Sequence, residues 1–192
     1  MERIRTRGGG DYVGQIMVQS VELVLDDAAE EHIRAQWAVL AEAGLPGVLR
    51  RPTAGDPPKR PHITVAVATQ IWPRIDHALE KLPFHPFPVR LGGVLVFGAR
   101  RPILVRLVVP SEQLLTWQRR VHAVVAPCPG IPATMHPDRW TPHVTLARRV
   151  PPPQLGEAVL AVASDRDFTA TVVGIRRWDG DERRAWPVAG GR

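Results

Sequence analysis

A five-residue pattern occurs twice in this chain, as PHITV at residues 61–65 and as PHVTL at residues 142–146. The two copies place His62 and His143 81 residues apart, one in each half of the chain. From this composition, two independent matches to Pro-His-x-Thr would arise by chance about one time in a thousand. The repeat therefore predicts that the chain consists of two similar halves.

Each copy lies in a run of residues that is typical of a β-strand. Successive side chains of a strand alternate between its two faces, so His62 and Thr64 should share one face with Ala66 and Ala68. The opposite face is apolar and is predicted to pack into the core. The second copy repeats the arrangement with His143, Thr145 and Ala147.

The elements around the two motifs predict the overall architecture. Strands are expected over residues 21–25, 62–68, 87–97, 103–109, 143–150, 168–177 and 185–188, and helices over 27–43, 71–82, 112–125 and 153–163. Residues 45–60 are rich in proline and glycine, which predicts an exposed loop. The order favours an α+β fold with two pseudo-symmetric lobes of antiparallel sheet, helices outside and a groove between the lobes. We expect one bilobal domain over residues 1–192, with 1–19 as a flexible extension and 189–192 as a tail.

Composition limits the classes of protein that fit. Hydrophobic residues make up 44% of the chain without any apolar run long enough for a membrane span, so we expect a soluble protein that is not bound to a membrane. The single cysteine excludes an intrachain disulfide and a zinc site with several cysteine ligands, and it favours a reducing cytoplasm. The net charge of +6 favours anionic partners, but arginine in place of lysine on the surface would produce the same value. Charge alone therefore does not indicate a nucleic-acid-binding protein. Separately, we expect the chain to be a monomer.

The paired motifs carry the residues that phosphodiester cleavage needs. If the two His-Thr pairs face each other across one groove, one imidazole can accept a proton from the attacking oxygen while the other protonates the leaving oxygen. The threonine hydroxyls can donate hydrogen bonds to the non-bridging phosphate oxygens. Two histidines leave a zinc site short of ligands, so the sequence predicts neither a metal nor a cofactor. The remaining histidines lack this context and are interpreted as surface or structural residues: His32, His77, His85, His122 and His136.

The two motifs resemble the hallmark of the two-histidine phosphoesterase superfamily, which is a pair of His-x-Thr/Ser-x motifs with one in each lobe. The chain looks closest to the branch similar to RNA 2′,5′-ligases. Arg148 after the second motif and Phe97-Gly98 ahead of an apolar strand also match that branch. The resemblance covers residues 21–188.

The resemblance implies a role for each matching residue. His62 would donate a proton to the leaving oxygen, His143 would accept one from water, and Thr64 and Thr145 would hold phosphate oxygens. Phe97 would stack on a base or line the pocket, although an aromatic side chain packed between two strands is an equal alternative. Arg148 would meet the phosphate, whereas strict alternation along the strand points Arg149 into the groove instead.

The reaction that the resemblance implies is metal-independent hydrolysis of a 2′,3′-cyclic phosphate, on RNA or a nucleotide, to a 2′-phosphomonoester. Reversible 2′,5′-RNA ligation is a related activity of the same branch. The implied partner is a cyclic nucleotide or an RNA with a cyclic phosphate end. The alternative is a nucleotide- or RNA-binding module with the same groove and little catalysis. The helix after Asp26 and the long loop before the first motif differ from the branch, so loops around the groove should determine substrate size.

Overall fold

The computed structural model describes residues 18–48, 59–163 and 167–190. Within these ranges the chain forms seven strands and four helices. The strands are β1 (Gln19–Leu25), β2 (His62–Ala68), β3 (Phe87–Phe97), β4 (Ile103–Val108), β5 (His143–Arg148), β6 (Phe168–Asp179) and β7 (Arg184–Gly190). The helices are α1 (Asp27–Glu42), α2 (Pro73–Glu80), α3 (Glu112–Val125) and α4 (Leu155–Ala163).

All seven strands belong to one antiparallel sheet. Six of them follow the hydrogen-bonded order β2-β1-β6-β3-β4-β5, and β7 pairs with β6 outside this order. The long strand β6 joins the two halves of the sheet. Its partner on one side is β1, whereas on the other side its first residues pair with β3 and its last residues pair with β7. This connection places the two motif strands, β2 and β5, at opposite ends of the order, where each has a single neighbour.

Both motif strands contain a β-bulge directly after the threonine. Neighbouring residues of β1 pair with Ala66 and Thr64, which leaves Val65 as the extra residue. In β5 the corresponding extra residue is Leu146. An extra residue reverses the alternation of faces beyond it. The prediction that the alanines after the motifs share the histidine face is therefore wrong, because the bulge turns them into the core: Ala66, Ala68 and Ala147 are all buried.

The starts of α1 and α3 are capped by side chains of the preceding residues. The Asp26 carboxylate accepts a hydrogen bond from the Ala29 N–H at 2.9 Å, and the Ser111 hydroxyl accepts one from the Leu114 N–H at 3.2 Å. Such caps satisfy backbone donors that the first helical turn leaves unpaired. The two long helices pack on strands of the other half of the chain: α1 packs on β5, and α3 packs on β2. Each long helix therefore supports the motif strand of the opposite half.

The predicted α+β fold with antiparallel lobes and helices outside is confirmed, with the two lobes sharing one continuous sheet. Several boundaries differ: β1 begins at Gln19, β5 ends at Arg148, and β7 runs to Gly190. Much of the predicted loop at residues 45–60, and residues 1–17 and 191–192 of the predicted extension and tail, lie outside the described residues. Among the residues described, no helix is both long enough and apolar enough to cross a membrane.

Candidate active site

The motif strands β2 and β5 are distant in the order of the sheet but close in space. Their Cα atoms come within 8 Å of each other, which shows that the sheet curls until its two edges meet. His62, Thr64, His143 and Thr145 are all half-buried, while the residues between them in each motif are buried. The repeat therefore places two imidazoles and two hydroxyls, all partly exposed, on two strands that lie close together.

The two imidazole rings are held by equivalent hydrogen bonds. The His62 Nδ1 lies 2.8 Å from the Arg60 carbonyl, and the His143 Nδ1 lies 2.7 Å from the Thr141 carbonyl. A carbonyl oxygen can only accept, so each Nδ1 carries a proton and each Nε2 is the nitrogen available for proton transfer. The Arg176 Nη2 also lies 3.2 Å from the His62 Nδ1, but the shorter contact with the carbonyl decides the tautomer. The same bond to the residue two positions earlier thus fixes both rings.

A charged cluster surrounds His62. Glu22 of β1 lies opposite Thr64, and its carboxylate oxygen Oε1 is 3.4 Å from the His62 Nε2. The other oxygen, Oε2, accepts a hydrogen bond of 2.7 Å from the Arg176 Nε, and Ser20 donates its hydroxyl to Oε1 at 2.8 Å. At 3.4 Å the contact with His62 is longer than an ordinary hydrogen bond, so the Nε2 atom stays available to a ligand.

The pKa of the Glu22 carboxyl reflects this cluster. Burial raises that pKa, but the charges of His62 and Arg176 and the hydrogen bonds from Arg176 and Ser20 outweigh the effect and leave the pKa below its usual value. Glu22 is therefore a buried carboxylate that is paired with Arg176 and lies beside His62.

Replacing Glu22 with glutamine is expected to lower the free energy of unfolding by about 3 kcal/mol at pH 7, because Arg176 would keep its charge without a partner. The pKa of Glu22 is lower in the folded chain, so its contribution is complete above the unfolded value and is lost as pH falls through the folded value. The difference between wild type and Glu22→Gln should therefore narrow below pH 4.5.

Urea denaturation at pH 7 and at about pH 3.5 measures both effects. Glu80→Gln is the matched control, because Glu80 pairs with His77 on the exposed surface and should change stability by less than about 0.5 kcal/mol. A difference between wild type and Glu22→Gln that did not vary with pH would contradict this account of the cluster.

The surroundings of His143 are less charged. Phe97 of β3 meets the imidazole edge to face, with 4.8 Å between ring centroids. Burial lowers the pKa of His143, the hydrogen bond to the Thr141 carbonyl opposes the change, and the charges of Arg148 and His62 lower the pKa further. The result is a pKa below 6.5. His143 is thus mainly neutral at pH 7, and it lies near enough to His62 to respond to its charge.

The structure decides between Arg148 and Arg149 as the neighbour of His143. The bulge at Leu146 reverses the alternation, so Arg148 turns to the side of the motif residues and its charge acts on His143. Arg149 lies beyond the end of β5, with a φ of 59°. The alternation that pointed Arg149 into the groove therefore fails because of one extra residue.

Sequence reasoning missed two residues of the site, Glu22 and Arg176. The one available sign for Glu22 was a carboxylate inside the otherwise apolar run of β1, since such charges are rarely buried without a partner. Arg176 had no comparable sign, because it becomes part of the site only through the pairing of β6 with β1.

Comparisons with known proteins identify the family and the fold of this chain. The family described as the 2'-5' RNA ligase superfamily matches residues 29–183. A search of curated proteins finds no match. Among solved structures, TT0787 of Thermus thermophilus is 18% identical with a TM-score of 0.56, covering 92% of this chain and 100% of its own.

Two further structures show the same fold. Usb1 of Kluyveromyces marxianus with uridine monophosphate is 16% identical, with a TM-score of 0.52 and coverage of 91% of this chain and 99% of its own. Escherichia coli LigT complexed with NADP+ is 16% identical, with a TM-score of 0.51 and coverage of 91% and 95% in the same order. At these identities the likeness concerns the fold.

Proposed function

Because the chain belongs to the 2'-5' RNA ligase superfamily, we propose that it is a metal-independent phosphodiesterase that hydrolyses a 2′,3′-cyclic phosphate to a 2′-phosphomonoester. The superfamily comprises phosphoesterases and ligases that act on RNA phosphates. Membership in it supports an enzyme of that general kind. The confirmed resemblance is to the two-histidine phosphoesterases. The specific reaction is our proposal.

The observation that supports the proposal most is the matched pair of imidazoles on the two meeting edges of the sheet. Each Nδ1 is tied to a backbone carbonyl, and each Nε2 is left for proton transfer. General acid-base catalysis of an in-line displacement requires one such group on either side of the phosphorus. An apolar or purely packing role would not require two equivalent tautomers.

The surroundings favour opposite roles for the two histidines. Glu22 places a carboxylate oxygen 3.4 Å from the Nε2 of His62, so His62 is the histidine of the pair that has an acidic neighbour. The lowered pKa of His143 favours a neutral ring that can act as a base. This agrees with the assignment that the family resemblance implies.

In the proposed reaction, one histidine takes up a proton and the other gives one up. The Nε2 of His143 accepts a proton from water while the water oxygen forms a bond to phosphorus. The bond between phosphorus and the 3′ oxygen breaks, and the Nε2–H of His62 gives that oxygen its proton, which leaves a 2′-phosphomonoester. Thr64 and Thr145 would donate hydrogen bonds to the non-bridging oxygens. Attack by a 5′-hydroxyl end instead of water would give 2′,5′ ligation.

Substrate recognition is a further part of the proposal. Arg148 is exposed beside His143 and could contact a phosphate oxygen, and the edge of Phe97 could line the pocket for a base. Nucleotides in the structures of Usb1 and LigT agree with a substrate of that class. We expect the same groove to accept a cyclic nucleotide or an RNA with a cyclic phosphate end.

The direct test is a set of nucleoside 2′,3′-cyclic phosphates and cyclic-phosphate-ended oligonucleotides incubated with the protein and EDTA. Phosphorus NMR identifies the position of the product phosphate. The proposal expects turnover in EDTA and a 2′-phosphate product. Binding without turnover would instead identify a nucleotide-binding module, and turnover abolished by EDTA would contradict metal independence.

A bell-shaped dependence of the rate on pH is expected, since one histidine must be neutral and the other protonated. The base must lose its proton to act, so the rate should rise with pH through the pKa of His143. Because that pKa is lowered, the midpoint of the acid limb should lie below 6.5. Values of kcat/KM between about pH 4.5 and 9 measure the profile, because kcat/KM reports the pKa values of the free enzyme. A flat profile would contradict the paired roles.

A further inference from the structure

Two tryptophans connect the motif strands to the opposite halves of the chain. The Trp37 indole N–H, on α1 of the first half, donates to the Thr145 carbonyl of the second half at 3.0 Å. The Trp140 indole N–H, in the second half, donates to the Thr64 carbonyl of the first half at the same distance of 3.0 Å. The two bonds therefore cross, and each ends on the residue that carries a site hydroxyl.

The edge position of β2 and β5 explains why these carbonyls need a partner. A strand at the edge of a sheet has one neighbour, so alternate backbone groups have no ladder bond. In β5 the Pro142 carbonyl accepts from Val108 of β4, and the alternation of an antiparallel strand then directs the Thr145 carbonyl away from β4. A buried carbonyl without a partner is costly, and an indole N–H satisfies it.

Both tryptophan side chains are fixed by burial. Trp37 is 2% exposed and Trp140 is 7% exposed. A buried indole has two torsions held by packing, so its N–H is a rigid donor. Trp140 also lies three residues before His143, so its bond to Thr64 ties the start of one motif strand to the middle of the other.

We infer that Trp37 and Trp140 are positioning residues, whose crossed bonds hold the two threonine-bearing edges of the sheet at the separation that one phosphate requires. The inference rests on the proposed function for its catalytic consequence. It assigns to each indole a specific threonine in the other half. Neither indole contacts the substrate.

The consequence is a defined loss when the N–H alone is removed. Phenylalanine keeps an aromatic ring but has no donor, so Trp37→Phe should release the Thr145 carbonyl, and Trp140→Phe the Thr64 carbonyl. A misplacement of about 1 Å can cost a hundredfold in rate, so each variant should lose about ten- to a hundredfold in kcat. The KM should change less than kcat, because the groove keeps its side chains.

The crossed pattern gives a test that a general loss of packing would not reproduce. Combined with Thr145→Val, Trp37→Phe should cost much less than it does alone, because the hydroxyl it positions is already absent. Combined with Thr64→Val it should keep most of its effect. For Trp140→Phe the order should be reversed, with Thr64→Val as the coupled partner.

Trp186→Phe is the matched control. The indole N–H of Trp186, on β7, also donates a hydrogen bond, to the Asp76 carboxylate at 3.2 Å. Its acceptor lies on α2 and not on a motif strand. This variant should keep its kcat within about twofold. An equal loss in Trp186→Phe, or equal coupling of each tryptophan to both threonines, would overturn the positioning role.

The carbonyl resonances of Thr64 and Thr145 separate this inference from the proposed function. In carbon NMR, Trp37→Phe should shift the Thr145 carbonyl and leave that of Thr64 in place, with the reverse for Trp140→Phe. Unchanged carbonyl chemical shifts would overturn the crossed hydrogen bonds even if the enzyme were active. A wild-type protein that turned over no cyclic phosphate would overturn the proposed function. The carbonyl shifts would still decide whether the crossed hydrogen bonds exist.

Discussion

Replacing His62 or His143 with alanine is expected to lower kcat about a hundred- to ten-thousandfold, the effect typical of removing a general acid or base. Each ring is fixed by its own carbonyl bond, so neither histidine can take over the position of the other. The measurement is the initial rate on a nucleoside 2′,3′-cyclic phosphate at saturating substrate. The loss should appear in kcat rather than in KM, because the rings act on protons in the transition state.

His77→Ala is the control for this pair. The His77 side chain is 80% exposed and contacts Glu80 on α2, away from the motif strands. Its replacement should leave the rate unchanged. The double replacement of His62 and His143 should cost little more than the worse of the two single changes, because the two groups act in one step. Unchanged rates in both single variants would remove the acid-base mechanism.

Replacing Thr64 or Thr145 with valine is expected to lower kcat about a hundred- to a thousandfold. Valine has nearly the same shape as threonine but no hydroxyl, so the change removes one donor to the phosphate oxygens. A donor aimed at developing charge is worth most in a site that excludes water, and both threonines are half-buried at the meeting edges. Steady-state rates of the two variants and their combination measure the effect.

Thr169→Val provides the comparison, because Thr169 is an exposed strand residue of β6 at the register position of Arg90. Its rate should match that of wild type. If Thr64→Val and Thr145→Val also matched wild type, the hydroxyls would have no part in holding the phosphate. The affinity for a product monophosphate should also fall in both variants, because one hydrogen-bond donor to the phosphate is lost.

The sequence by itself determined which side chains the two motif strands carry. A duplicated Pro-His-x-Thr pattern in runs of β-forming residues was sufficient to predict two strands with paired imidazoles and hydroxyls. Local rules also determined the starts of α1 and α3, because a side-chain oxygen at Asp26 or Ser111 satisfies backbone donors only a few residues away. These features depend on neighbours along the chain, which a sequence displays directly.

The tertiary structure alone decided what surrounds those residues. Bulges at Val65 and Leu146 depend on the register with β1 and β4, and they moved Ala66 into the core and placed Arg148 beside His143. Glu22 and Arg176 reach His62 only through strand pairings between distant segments. Arg176 lies 154 residues from Glu22 along the chain. The crossed indole bonds likewise join residues 108 and 76 positions apart. Such contacts depend on register and on the curl of the sheet, which the periodicity of a single strand does not encode.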